Sequence, residues 1–142
     1  MISTKKIPFK FILLFGILIS SYTLNAQIPN EILTSLNTGN AKTLSKYFNQ
    51  FVQLEVLDND NIYSKAQAQQ IVSNFFSNYA PNPKKEFDII HESGPENEGA
   101  KSVIGVLESK EGDYFRVSIL LKQSEGNSYI HFLKIEKTPK PQ

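Results

Sequence analysis

The stretch "GNAKTLSKYFNQFVQLEV", residues 39–56, changes its hydrophobic period in the middle. Its first half repeats apolar residues at the three- and four-residue spacing of a helix, behind Asn40, which is a good N-cap. In the second half, "FVQLEV", apolar and polar residues alternate with the period of two that a half-buried strand requires. The sequence therefore predicts a short helix that runs directly into the first β-strand.

The next stretch, "LDNDNIYSKAQ" at residues 57–67, is rich in aspartate and asparagine, the residue types that supply ligands in calcium-binding loops. A calcium loop of the EF-hand type that began at Asp58 would need an oxygen ligand at its fifth position and glycine at its sixth. Those positions hold Ile62 and Tyr63, so the metal hypothesis fails. Asp and Asn readily adopt tight-turn geometry, and we predict a metal-free turn at residues 58–61, with or without a short strand at 62–63.

A long helix should follow this turn. Ser64 and Gln67 form a capping-box pattern, and "PNP" at residues 81–83 ends the helix because proline lacks an amide hydrogen. Apolar residues then recur at helical intervals on one face, namely Ala68, Ile71, Val72, Phe75, Phe76 and Tyr79.

The remaining chain contains four strand-like runs, at residues 85–92, 101–109, 113–123 and 128–137. Their connectors carry the glycines and polar residues of tight antiparallel turns, which predicts a four-stranded meander. Upstream, "IPNEILTSLNTGN" predicts another helix that ends at Gly39. The expected fold is α+β: a curved antiparallel sheet wrapped around a long helix and an N-terminal helical pair.

The first 26 residues have the features of a secretory signal peptide. Three lysines precede the apolar run "FILLFGILIS", and the small-residue exit "LNAQ" places the cut between Ala26 and Gln27. An uncleaved anchor is the alternative, but the apolar run is shorter than the roughly 20 residues that span a bilayer. We therefore expect a periplasmic or secreted bacterial protein without a stable membrane span after cleavage, with one domain at residues 27–137 and a frayed tail at 138–142.

The composition of the expected mature chain excludes several classes of function. It has 12 basic and 14 acidic residues and a single arginine, Arg116, so it lacks the basic groove that nucleic-acid binding needs. The absence of cysteine excludes thiol catalysis and cysteine-ligated zinc. We expect no cofactor, no metal and no nucleic-acid partner.

The stretch at residues 39–56 resembles the opening of the nuclear transport factor two-like superfamily, also called the cystatin-like cone. More narrowly, "IPNEILTSLNTGNAKTLSKYFN", "IYSKAQAQQIVSNFF", "GAKSVIGVL" and "FLKIEK" are similar to a family of small exported bacterial proteins, domain of unknown function 4783. This resemblance covers nearly all of residues 28–137. It implies the cone fold but no activity, because the superfamily includes isomerases, dehydratases, binding modules and inert scaffolds.

The resemblance to superfamily isomerases implies a tyrosine from the helical part and acidic residues inside the cone. Tyr47 or Tyr63 would supply the tyrosine and Glu55 the base. The two histidines, His91 and His131, are the other acid–base candidates because histidine titrates near neutral pH. No second acid interrupts the apolar positions of "RVSILL" or "IHFLKI", so no catalytic residue is assigned.

The aromatic side chains admit two interpretations. They either line a pocket for a small apolar ligand or fill the core, and the core is favoured because a cone of this size needs large side chains to close it. The set consists of Phe75, Phe76, Tyr79, Phe87, Phe115 and Phe132.

The strand at residues 113–123 predicts a homodimer. One of its sides is wholly apolar, and the other carries Tyr114, Arg116, Ser118 and Leu120, a composition typical of interfaces. In the last strand, strict alternation places Tyr129, Leu133 and Ile135 on one side of the sheet and Ile130 and Phe132 on the other.

The leading functional hypothesis is an exported, non-catalytic binding or scaffold module whose partner is a second copy, a small apolar ligand or an envelope protein. The alternative is a small-molecule enzyme, isomerase- or dehydratase-like, with a pocket inside the cone.

Overall fold

The computed structural model describes residues 28–94 and 99–142; the expected signal peptide and its cleavage site lie outside these ranges. The described chain forms an α+β fold, as predicted. Its helices are α1 (Asn30–Thr38), α2 (Ala41–Ser45) and α3 (Lys65–Asn78). Its strands are β1 (Phe48–Val56), β2 (Asn59–Ser64), β3 (Asp88–Ser93), β4 (Ala100–Glu108), β5 (Tyr114–Ser124) and β6 (Asn127–Thr138). None of these helices has the length and apolar character needed to cross a membrane.

Three predicted helix caps are confirmed, although α2 ends at Ser45, before the Tyr47 and Phe48 that its apolar spacing includes. Gly39 ends α1 in the left-handed conformation, with φ of 69°. Asn40 caps α2 by accepting a hydrogen bond from the amide of Thr43 at 3.0 Å. At the start of α3, Ser64 and Gln67 exchange both hydrogen bonds of a capping box.

The sheet is mixed and open, with the strand order β2-β1-β6-β5-β4-β3. Strands β3 to β6 form the predicted antiparallel meander. The expectation of a purely antiparallel sheet is wrong at one place, because β1 pairs with β6 in the parallel sense. A parallel pair needs a long connection between its strands, and here the whole chain from β2 to β5 supplies it.

The first hairpin turn is shorter than predicted. It contains only Leu57 and Asp58, and β2 begins at Asn59, which pairs with Val56. Leu57 has a φ of 52°, in the left-handed region that leucine rarely adopts. Of the residues predicted to form the turn, only Asp58 does so, whereas Asn59, Asp60 and Asn61 belong to an exposed edge strand, where polar side chains meet water.

One face of the sheet, here called the inner face, packs against the helices to form the core. On β5 the predicted apolar side is buried in full: Phe115, Val117, Ile119 and Leu121. Helix residues such as Leu36, Leu44 and Val72 meet it and are completely buried. The opposite side of the sheet is here called the outer face.

A β-bulge in β6 changes which residues reach each face. Leu121 pairs with Ile130, but Leu120 pairs with Phe132, so His131 is an extra residue without a partner in this ladder. The strict alternation predicted for β6 is therefore wrong. Ile130 is buried with Leu133 and Ile135 on the inner face, whereas Phe132 lies half-buried on the outer face.

Candidate functional site

The space between α3 and β5 is filled by aromatic rings. The Phe75 ring lies 5.0 Å from that of Phe115 and 5.5 Å from that of Phe76, both edge to face, and the Tyr79 ring lies 4.8 Å from Phe115. Edge-to-face packing at these distances is favourable in a core. Four of the six aromatic pocket candidates thus contact one another in packed protein.

The other two aromatic candidates lie apart from this cluster. Phe87 is buried and covers Gly105 of β4, at which an added methyl group would collide with the ring. Phe132 lies on the outer face, as the alternation with the buried Leu133 requires. The six residues consequently do not line one shared cavity.

The outer face of β5 carries Tyr114, Arg116, Ser118 and Leu120 together, between the buried residues of the same strand. Leu120 pairs with Phe132 of β6, and Phe132 pairs with Gln53 of β1. Gln53 in turn pairs with Ile62 of β2, which is 65% exposed. These pairings define an outer apolar row that crosses four strands: Ile62, Phe132 and Leu120, interrupted by Gln53.

Three further hydrophobic residues, one exposed and two half-buried, extend this surface. Phe51 of β1, 59% exposed, lies diagonally to Ile62 on the same face. Ile104 and Val106 of β4 are half-buried opposite Ser118 and Arg116. The outer face therefore presents a large set of aliphatic and aromatic side chains to solvent.

A row of charges runs beside the outer apolar row. Lys134 of β6 forms ion pairs with Glu136 at 3.3 Å and with Glu55 of β1 at 3.4 Å. Hydrogen bonding to Glu136, and then to Glu55, raises the pKa of Lys134. Arg116 is the cross-strand partner of Glu136. Glu55 thus lies on the outer face, bound to a lysine, and not inside the cone where an isomerase base would act.

Both histidines also belong to the outer surface. His91 is exposed on β3, opposite Ile104. His131 is the extra residue of the bulge, and burial, followed by the charge of Lys122, lowers its pKa. Within residues 28–94 and 99–142, no three His, Asp or Glu side chains are grouped as a metal site would require.

The structure also contains a cleft of about 420 Å³ at the start of β1 and β6, here called the rim cleft. It is lined by Pro29, Lys46 and Tyr47 on one side and by residues 126–129 on the other. The Tyr47 hydroxyl donates a 2.6 Å hydrogen bond to Glu31, and this bond, with burial, raises the pKa of Tyr47. The Tyr47 carbonyl accepts a 2.6 Å hydrogen bond from the amide of Ile130, which fixes the floor of the cleft.

The isomerase candidates are not brought together. Tyr47 lines the rim cleft, whereas Tyr63 pairs with Val52 and packs against the core, and Glu55 lies on the outer face. Sequence reasoning missed the residues opposite Tyr47, at 126–129, because they are about 80 positions away in the chain. The local sequence at Glu125 and Gly126, which have positive φ in the structure, predicts a tight hairpin. It does not predict that Tyr47 lies opposite this hairpin.

The comparisons with known proteins agree with this fold. The family model described as domain of unknown function (DUF4783) matches residues 29–136. A DUF4783 family protein from Bacteroides ovatus is 26% identical with a TM-score of 0.71, covering 81% of this chain and 99% of that one. One from Bacteroides uniformis is 24% identical with a TM-score of 0.70, covering 80% and 100%.

More distant structures share only the fold. An NTF2-like protein of unknown function from Shewanella baltica is 11% identical with a TM-score of 0.58, covering 92% of this chain and 98% of that one. No curated protein matches the chain. The resemblance to the nuclear transport factor two-like fold and to this family, inferred from the sequence, is therefore confirmed.

Proposed function

The chain belongs to the DUF4783 family, of NTF2-like fold, and we propose that it is an exported, non-catalytic binding or scaffold module that pairs with a second copy of itself. The observation that carries this proposal is the outer apolar row of Ile62, Phe132 and Leu120. Phe132 and Leu120 are adjacent in this row, and a patch of apolar side chains left accessible on a small protein often marks an interaction site. Export is supported by the leader at residues 1–26.

The charges beside the row favour a second copy as the partner. An interface between two identical chains must be self-complementary, because the same patch meets itself across a two-fold axis. The outer face meets this condition, since Arg116 and Lys134 lie next to Glu55 and Glu136. Each copy can therefore place basic groups over the acidic groups of the other while the apolar rows meet.

The positions of the ionisable residues favour a non-catalytic role. An acid–base site needs two titratable groups within hydrogen-bonding reach of one substrate. Glu55 is held by Lys134, and the Tyr47 hydroxyl is held by Glu31. His91 and His131 lie on strands at opposite sides of β4 and β5. In the described chain no two of the sequence-predicted candidates Tyr47, Tyr63, Glu55, His91 and His131 are joined by a hydrogen bond or ion pair.

The proposal is tested on protein purified from the cell-envelope fraction, whose intact mass should correspond to a chain that begins at Gln27. Light scattering over a dilution series should give a dimer mass for the unmodified protein. Leu120→Arg should give a monomer, because it places a charge at the β5 end of the apolar row, directly beside Phe132. Ser77→Arg, on the exposed side of α3, is the matched control and should remain dimeric.

Three results would refute the proposal. A monomer mass at every concentration would refute pairing, and a Leu120→Arg dimer would show that another surface forms the contact. An intact mass that includes residues 1–26 would refute export with cleavage. Circular dichroism of each variant verifies that the fold is retained.

A further inference from the structure

The rim cleft has the features of a ligand site, and we propose that it binds a neutral saccharide of one or two rings. This site is distinct from the outer apolar row and from the filled interior of the cone. Its volume of about 420 Å³ is within the range of roughly 300–1,000 Å³ seen for small-molecule sites.

The first argument is the number of polar groups around the cleft that the protein leaves without a partner. Among the described residues, the polar ends of the Lys46, Asn127, Ser128 and Tyr129 side chains make no hydrogen bond or ion pair with the protein. They comprise an ammonium, an amide and two hydroxyl groups, which together supply both donors and acceptors. A ligand with several adjacent hydroxyl groups can satisfy this set.

The second argument is the pair of tyrosines that line the cleft. Tyr47 comes from the turn before β1 and Tyr129 from β6, and both are half-buried, so part of each side chain is accessible. An aromatic ring offers a flat apolar surface, while a tyrosine hydroxyl remains available for hydrogen bonds. Sugar rings combine apolar C–H faces with a polar rim, which matches this lining.

The position of Tyr47 is fixed before any ligand arrives. Its hydroxyl donates to Glu31 at 2.6 Å, and its carbonyl accepts from the Ile130 amide at 2.6 Å. On the other side, the tight turn at Glu125 and Gly126 holds the end of the β5–β6 hairpin. A preformed site lowers the entropy cost of binding.

Other classes of ligand fit the cleft less well. An anion would meet Lys46 but also the carboxylate of Glu31, which is hydrogen-bonded to Tyr47, so the local charge does not favour it. A peptide bound as an added strand needs a long free edge, and β1 pairs with β6 from Ile130 onward, which leaves only residues 127–129 open on that side. A purely apolar ligand would cover the half-buried Ser128 and Tyr129 hydroxyl groups without offering them a hydrogen bond, at a cost in affinity.

The test is a titration of the isotope-labelled mature chain, residues 27–142, followed by amide chemical shifts. The probes are maltose, lactose and the disaccharide of N-acetylglucosamine, with glucuronic acid as the anionic comparison. We expect saturable shifts at residues 46–47 and 126–129 with at least one neutral disaccharide. Tyr129→Ala should weaken that binding about tenfold by removing one stacking surface.

The control is Ile90→Ala, which removes an exposed hydrophobic side chain from β3, at the edge of the sheet remote from the cleft, and should leave the affinity unchanged. Tyr47→Phe removes the hydroxyl bonded to Glu31 and should weaken binding less than Tyr129→Ala. The proposal is wrong if no neutral probe gives saturable shifts, if glucuronic acid alone does so, or if the shifts lie elsewhere. Unchanged affinity in a folded Tyr129→Ala variant would also overturn it. Because pairing is measured separately by light scattering, each of the two proposals can fail without the other.

Discussion

The two faces of the sheet contain similar side chains in different surroundings. On the inner face, Leu133 and Ile119 are at most 2% exposed. On the outer face, Leu120 and Phe132 belong to the neighbouring positions of the same two strands but remain half-exposed. Hydrophobic residues alone therefore do not define the core, because the helices cover only one of two apolar faces.

The apolar residues of the two faces therefore have different roles. Residues of the inner face stabilise the folded chain, since burial removes them from water. Residues of the outer face contribute less to folding and are available to a partner. Substitutions matched between the two faces should separate these contributions.

The largest difference is expected between Leu133→Ala and Leu120→Ala. Leu133 is fully buried, so its truncation leaves a cavity and should lower the free energy of unfolding by about 2–5 kcal/mol. Leu120→Ala should cost less, about 1 kcal/mol in the monomer, because Leu120 is only partly buried and its truncation leaves no closed cavity. Urea unfolding at low protein concentration measures both. Equal losses would mean that the outer face is as important to folding as the inner face.

A smaller difference is expected when one methyl group is added to each face. In Gly105→Ala the new carbon would lie 2.7 Å from the Asp88 carbonyl oxygen and would collide with the Phe87 ring. This overpacking should cost about 1–3 kcal/mol. Ser118→Thr adds a methyl group to the half-exposed outer face and should change stability by less than about 0.5 kcal/mol.

Thermal and urea unfolding of these two variants provide the comparison. Replacing Phe87 by leucine in the Gly105→Ala background should recover part of the loss, because the ring is the colliding group. A Gly105→Ala protein as stable as the unmodified one would contradict the close packing of β4 against Phe87.

The smallest effect concerns pH and His131. Burial and the nearby Lys122 lower the pKa of His131 below its ordinary value of 6.5, so the unfolded chain takes up this proton more readily. The free energy of unfolding should therefore fall as the pH drops below about 6.5. His131→Gln should remove this part of the pH dependence, whereas His91→Gln on exposed β3 is the control. Identical pH profiles for the unmodified and His131→Gln proteins would count against this account.

Much of the local structure could be predicted from the sequence because its signals are short in range. The cap residues Gly39, Asn40, Ser64 and Gln67 act within a few positions along the chain, and the alternation in β5 has the period of the strand itself. The resemblance to the DUF4783 family likewise rests on short segments, each of which can be recognised without knowledge of the tertiary structure. These features determined the class of the fold, the helix boundaries and the apolar face of β5.

Only the tertiary structure decided where these elements meet. The bulge at His131, which brings Ile130 to the inner face together with Leu133, depends on pairing with β5, and no local pattern in "YIHFLKI" predicts it. The rim cleft joins Tyr47 to Tyr129, residues more than 80 positions apart. The ion pair of Glu55 with Lys134 arises from the parallel pairing of the first and last strands. Hydrophobic period and capping are set by neighbours in sequence, whereas register, bulges and clefts are set by the packing of distant segments, and the candidate sites of this protein belong to the second kind.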